Sequence, residues 1–407
     1  MIRKEILNNG LTVVTEEIDY AQSVSMGIWV KAGSRHEKHE FAGISHFLEH
    51  MNFKGTEKRS AKELAEVLES RGGQLNAYTT KEYTNFYCQT VSEDYDLAMD
   101  VLSDLFLHSV FRSEDTEKEK KVVLEEINLY EDSPEDLIND MLNEICWGEH
   151  PLGRPILGYE EQVKSFTPEI LKGYREHMYT PKNTILAVVG HFDYDALMDS
   201  VQKYFGDFGG TAENISFFAP TFHAGHISKE KEIAQEHICI GFPACSVFDE
   251  QYYGTILLNE YIGGSASSVL FQKIREDLAL SYSVYSFITA YEDTGMLTVY
   301  AGTSPELGKE VESLCFEELS QIAENGIPGE KLERLKTQIN GNMRLSTDSL
   351  GSRLNRLGRN ELFFRRTVPV EEVVEHMRSV TPEQTAVLAR EILTADPAVA
   401  FLGGKSV

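Results

Sequence analysis

The order of segments in this 407-residue chain occurs twice. Val24-Ser25-Met26-Gly27-Ile28-Trp29-Val30 alternates in the manner of a strand, and His237-Ile238-Cys239-Ile240-Gly241-Phe242 takes the same place in the second half. A helical stretch follows each of them, then strand-rich runs and further helices. Late in each half stands an apolar strand, residues 185–189 in the first and 398–402 in the second. A chain of this length exceeds one ordinary core, so the repeated order predicts a duplicated domain. The expected fold class is α+β, an α/β sandwich of two homologous domains, each a mostly antiparallel sheet packed with helices. Residues 1–210 form the first domain and 236–407 the second. Between them, 211–235 reads as a linker from Pro220 and the mixed-charge run Lys229-Glu230-Lys231-Glu232.

Composition excludes some functions. Hydrophobic residues make up 42% and charged residues 25%, as in a globular protein. The formal net charge of −27 argues against nucleic acid, whose phosphates need a basic footprint, and favours basic ligands where the acid lines a cavity. Five scattered cysteines without a CxxC pair predict reduced, buried thiols and a cytoplasmic location. No run approaches the ~18 apolar residues of a membrane span, and the N-terminus does not read as a signal peptide.

The chemistry concentrates in Ser45-His46-Phe47-Leu48-Glu49-His50-Met51. On a helix, His46 and His50 stack one turn apart on one face, where two imidazoles can share one tetrahedral ion. Glu49 lies beside them, placed to reach a water on the ion rather than the ion itself. This is the H-x-x-E-H arrangement, the inverse of the commoner zinc motif. Two solvated histidines would read the same, so a third ligand is needed. A charged helix from Glu114 to Tyr130 offers candidates. Glu119 and Glu126 share a face, seven residues apart, and Glu125 points about 100° away. That pair could bring one carboxylate to the ion and leave one behind it. The run Asn76-Ala77-Tyr78-Thr79 belongs to a predicted strand pair with a possible free edge, able to take an extended peptide by strand addition.

Here the chain resembles the pitrilysin, insulysin and mitochondrial processing peptidase family of zinc metallopeptidases. Its Val122-Val123-Leu124-Glu125-Glu126-Ile127 segment places Glu126 76 residues after His50, as the family places its glutamate ligand. Glu119 matches the family's glutamate two turns earlier, and residues 76–79 match the strand that holds substrate. In the second half, Gly263-Gly264-Ser265-Ala266-Ser267-Ser268 leads to Arg275 and Tyr282, spaced as the family's substrate and transition-state contacts. Leu278-Ala279 departs from the usual basic-glycine pair, with a consequence expected for the turn before Tyr282.

The resemblance implies a clamshell enclosing one Zn2+ per chain, held by His46, His50 and Glu126, with Glu49 as general base and Glu119 behind the ligands. It also implies a peptide substrate, a zinc-dependent endopeptidase activity and pairing of two chains around a chamber. A homodimer is expected, with a heterodimer as the alternative. The competing functions are a non-catalytic peptide-binding subunit and a zinc hydrolase acting on a non-peptide amide.

Overall fold

The computed structural model describes residues 1–210 and 218–404. These residues form two compact units, and neither is contiguous. Of the described residues, one unit comprises 1–128, 155–210 and 344–368, the other 129–154, 218–343 and 369–404.

The first unit is built on strands β1 (Ile2–Ile6), β2 (Thr12–Glu17), β3 (Ser23–Val30), β4 (Gln74–Thr79), β5 (Thr84–Val91) and β6 (Thr184–Gly190), in the order β1-β2-β6-β3-β5-β4. Only β2 and β6 are parallel. Alternation along β3 divides its side chains between two cores. Val24, Met26, Ile28 and Val30 pack with Phe47, Leu48 and Met51 of the helix Ile44–Asn52 and with Leu102 and Leu105 of the helix Tyr95–His108. Trp29 faces the other way, with Ile185, Ala187 and Val189 of β6. That face is covered by Leu354, Leu357 and Leu362 of the helix Leu350–Phe364, far along the chain.

The second unit holds β7 (Gly225–Lys229), β8 (Glu236–Ala244), β9 (Ser281–Ala290), β10 (Gly295–Thr303) and β11 (Ala398–Leu402), in the order β7-β11-β8-β10-β9. Only β7 and β11 are parallel. Without β1, the first sheet has the same order and the same sequence of parallel and antiparallel pairs. Ile238, Ile240 and Phe242 of β8 join one core, and Cys239 joins a second with Ile138, Leu142 and Cys146 of the helix Pro134–Trp147.

The division therefore differs from the contiguous one expected at residue 210. A sheet with two apolar faces needs two layers of cover. In each unit, the second layer is a helix drawn from the other half of the sequence. The expected linker differs as well: Gly225–Lys229 is a strand of the second sheet, paired with β11. Its first part, residues 211–217, lies outside the described residues.

Helix starts follow their sequence signals. Thr167 caps the helix Pro168–Met178 by accepting the amide of Ile170. Ser133 stands at the N-cap position before Pro134, but its hydroxyl donates to Asp136 Oδ2 at 2.6 Å rather than capping an amide. All five cysteines are free, and four are buried. Among the described residues, no helix is long and apolar enough to cross a membrane.

Candidate metal centre

The helix Ile44–Asn52 begins at Gly43, with φ +91°, where an added Cβ would lie 2.3 Å from the Leu157 carbonyl oxygen. Only glycine fits that turn and that approach. The first amides of the helix are met by Glu37. Its Oε2 accepts Gly43 N at 2.7 Å and its Oε1 accepts Ser45 N at 2.8 Å. Burial pushes the Glu37 carboxyl up to about 7, with those amides pulling the other way.

One turn apart on this helix, the rings of His46 and His50 have centroids 4.5 Å apart. The helix Ser113–Asp132 brings Glu126 to them. Glu126 Oε1 lies 3.7 Å from His46 Nε2, and Oε2 lies 3.4 Å from His50 Nε2. Donors about 2.0–2.1 Å from a tetrahedral zinc ion stand roughly 3.3–3.4 Å apart, so these spacings are close to a ligand set. Among the described residues, these three form the one group of histidine, cysteine and carboxylate side chains with ligand atoms within 4.8 Å of one another.

The protonation of the group suits a cation. Burial, and then the neighbouring His50, lower the His46 pKa to about 3, which leaves its imidazole neutral. Glu126 Oε2 is buried with no hydrogen-bond donor, an arrangement costly for a carboxylate unless a positive charge faces it. His50 Nδ1 lies 2.9 Å from Glu119 Oε1, and Glu119 Oε2 accepts Lys54 Nζ at 2.6 Å. Burial pulls the His50 imidazolium down, but the Glu119 hydrogen bond and the charges of Glu126, Glu119 and Glu49 outweigh it and raise its pKa. Burial raises Glu119, yet the bonds from His50 and Lys54 hold it below the usual carboxylate range. With Nδ1 engaged by Glu119, the ring nitrogen of His50 that faces Glu126 is Nε2. A donor set of two imidazoles and one carboxylate, with one imidazole oriented by a further carboxylate, fits a catalytic zinc ion.

Glu49 is buried on the same helix and accepts the Thr79 hydroxyl at Oε2, 2.5 Å away. Burial raises its pKa, and the Thr79 bond and the His50 charge oppose the rise. Thr79 belongs to β4, the outer strand of its sheet. Leu75, Ala77 and Thr79 face the helix side, and Leu75 and Ala77 pack on its core. Asn76 and Tyr78 face the other way, with Tyr78 among Tyr83, Tyr87 and Asn355. The Ala77 amide donates to Asn76 Oδ1 at 2.8 Å.

Arg275 and Tyr282 lie in the second unit. The Arg275 guanidinium sits 4.6 Å above the Tyr282 ring and 4.7 Å from Phe271, and Tyr282 is 75% exposed. Before Tyr282, Ala279 adopts φ +54°, the left-handed region that favours glycine. The chain thus makes a left-handed turn at Leu278-Ala279 with a residue that carries a Cβ.

Sequence reasoning missed Glu37 and Lys54. Lys54 carried a signal, because it follows His46 and His50 at the same four-residue interval. Glu37 carried none, because its bonds cross a loop.

Comparison with known proteins places these residues in context. Residues 12–160 match the family model described as insulinase (peptidase family M16), and residues 165–339 match the peptidase M16 inactive domain. A Bacillus subtilis (strain 168) protein named as the uncharacterized zinc protease YmxG is 41% identical over 402 residues, 99% of this chain and 98% of that protein. A Streptomyces coelicolor protein, also named as an uncharacterized zinc protease, is 34% identical over 99% of this chain and 89% of its own length. The fold matches the crystal structure of a Helicobacter pylori protease, with a TM-score of 0.92 at 20% identity over 99% of each chain. It also matches a Pseudomonas fluorescens structure described as a peptidase M16 inactive domain, with a TM-score of 0.93 at 17% identity over 100% of this chain and 98% of that one.

Proposed function

Because the chain belongs to peptidase family M16, the insulinase family, we propose that it is a zinc-dependent endopeptidase acting on extended or unfolded peptides. The observation that carries this reading is the convergence of His46 Nε2, His50 Nε2 and one Glu126 carboxylate, with the separately held carboxylate of Glu49 on the same helix.

His46, His50 and Glu126 would hold one zinc ion per chain. That ion supplies Lewis acidity toward the scissile carbonyl and makes water acidic enough to lose a proton near neutrality. Glu49 takes the proton from the attacking water and returns it to the leaving amine. Its burial suits this task, since a raised pKa makes the carboxylate a better proton acceptor than an exposed one. Glu119 fixes the tautomer and aim of His50. The substrate lies along the outer strand β4, at Asn76, Ala77, Tyr78 and Thr79, through main-chain hydrogen bonds that select extended shape over sequence. Arg275 binds a substrate carbonyl or terminus, and Tyr282 donates to the oxyanion as it forms. The same chain carries both the zinc set and the Arg275/Tyr282 pair, so its partner around a chamber is a second copy of itself.

The test is incubation of purified, zinc-analysed protein with a mixed peptide library, with and without a chelator, and product analysis by mass spectrometry. Internal cleavage that the chelator abolishes and zinc restores is the expected result. Peptide binding without cleavage by the zinc-loaded protein would overturn it.

A further inference from the structure

Thr79 stands on the strand assigned to substrate, and that assignment uses only its main chain. Its hydroxyl has a separate task. Thr79 Oγ1 has two hydroxyl or carboxylate neighbours, Glu49 Oε2 at 2.5 Å and Thr84 Oγ1 at 3.4 Å. Thr84 gives its own hydrogen to the Ala32 carbonyl at 2.8 Å. Of the two acceptors this leaves, the Glu49 carboxylate is much the nearer, so the Thr79 hydrogen goes to Glu49 as a charge-assisted bond between a stiff β-branched side chain and a buried carboxylate.

The main chain of the same residue points elsewhere. Thr80 N donates to Tyr83 O across the turn that joins β4 to β5. By the alternation of an antiparallel ladder, the main-chain groups of Tyr78 and Asn76 also point to β5, and those of Thr79, Ala77 and Leu75 point to the open edge. The Ala77 amide agrees with this parity, since it is bonded to Asn76 Oδ1. Thr79 thus presents its amide and carbonyl where an added peptide strand would lie, and its hydroxyl to the carboxylate assigned as general base.

We propose that Thr79 is a positioning residue, which fixes the Glu49 carboxylate relative to the strand on which the peptide is aligned. This rests on the peptidase reading above. A proton acceptor misplaced by about 1 Å loses on the order of a hundredfold in rate with little change in substrate affinity.

The test uses the full chain with Thr79→Val, which keeps the shape and strand preference of threonine, and Thr79→Ser, which keeps the hydroxyl. The Val variant is expected to bind zinc as the parent does and to hold KM within about twofold, with kcat lowered about 10–100-fold. Thr79→Ser is expected to recover most of that loss. A crystal structure of the zinc-loaded Val variant is expected to show the Glu49 carboxylate turned away from its parental position. Unchanged kcat, a change confined to KM, loss of zinc together with turnover, or an unmoved Glu49 would each overturn the proposal. If the parent cleaves no peptide, the peptidase reading fails, and the position of Glu49 in the Val variant still decides this one.

Discussion

His50 and Glu119 are joined through the imidazole Nδ1 and the carboxylate Oε1, 2.9 Å apart, and the second carboxylate oxygen is held by Lys54 at 2.6 Å. This bond fixes which ring nitrogen of His50 is free. It also ties the metal-bearing helix to the helix that supplies Glu126, since Glu119 and Glu126 sit two turns apart on it. Glu119→Gln keeps the shape and removes the charge. Zinc affinity is expected to fall about 10–100-fold, read by competition with a chelator of known affinity. Parental affinity in the variant would show that Glu119 has no part in holding the ion.

Glu49 is bonded to Thr79 and is no member of the converging ligand set. Glu49→Gln is therefore expected to retain zinc at one ion per chain and to lose about 10²–10⁴-fold in turnover. Metal analysis beside peptide hydrolysis separates the two quantities. A variant that cleaves like its parent would place the proton acceptor elsewhere.

How much of this was legible in the sequence depends on how local each relationship is. His46 and His50 are related by helical pitch, so their shared face follows from spacing alone. Glu119 and Glu126 are related in the same way, but spacing does not say which of them meets the histidines. That choice needed the family resemblance. The bonds from Glu37 to the helix start and from Thr79 to Glu49 cross between segments with no common period, and no sequence pattern announces them. The exchanged helices failed for a similar reason. Leu354, Leu357 and Leu362 show that the helix Leu350–Phe364 buries one face, and they do not say which sheet receives it.

The buried Glu37 carboxyl predicts a stability change with pH. Its folded pKa of about 7 lies above the ordinary carboxyl value of 4.5, because burial penalises the charge. Between those values the folded chain binds more protons here than the unfolded chain. The contribution is fully present below about 4.5 and is lost as pH rises through about 7, by on the order of 3 kcal/mol. Glu37→Gln cannot titrate, and the other groups are common to both proteins. Urea unfolding at pH 4.5 and pH 8, with chelator present, is expected to show the parent losing more stability than the variant by about that amount. Parallel behaviour of the two would place the Glu37 carboxyl at its ordinary value.

Ala279 adopts φ +54° just before β9, where a Cβ is strained by roughly 1–2 kcal/mol. Glycine would relieve that strain, and the greater freedom of the unfolded chain would return part of the gain. Ala279→Gly is expected to raise stability by about 1 kcal/mol, seen as a higher unfolding midpoint. A lower midpoint would mean that the Ala279 methyl group contributes packing worth more than the strain.

Gly358 and Trp29 meet where the helix Leu350–Phe364 crosses the first sheet. A Cβ at residue 358 would lie 2.5–2.6 Å from three atoms of the indole ring. Trp29 is fully buried, so the ring cannot swing into solvent. An alanine there gains up to about 1 kcal/mol in helix propensity. It also forces the helix away from the sheet or the ring off its rotamer, at about 1–3 kcal/mol or somewhat more. Gly358→Ala is therefore expected to destabilise the protein by about 1–2 kcal/mol net, measured by urea unfolding. Trp29→Phe shortens the ring on that side and loses stability by itself through the space it leaves. Combined, the two changes are expected to cost less than the sum of their separate effects, by about 1 kcal/mol, because the new methyl group occupies part of the vacated volume. Strict additivity would mean that the helix responds to Gly358→Ala by moving as a body, so that residues 29 and 358 no longer meet.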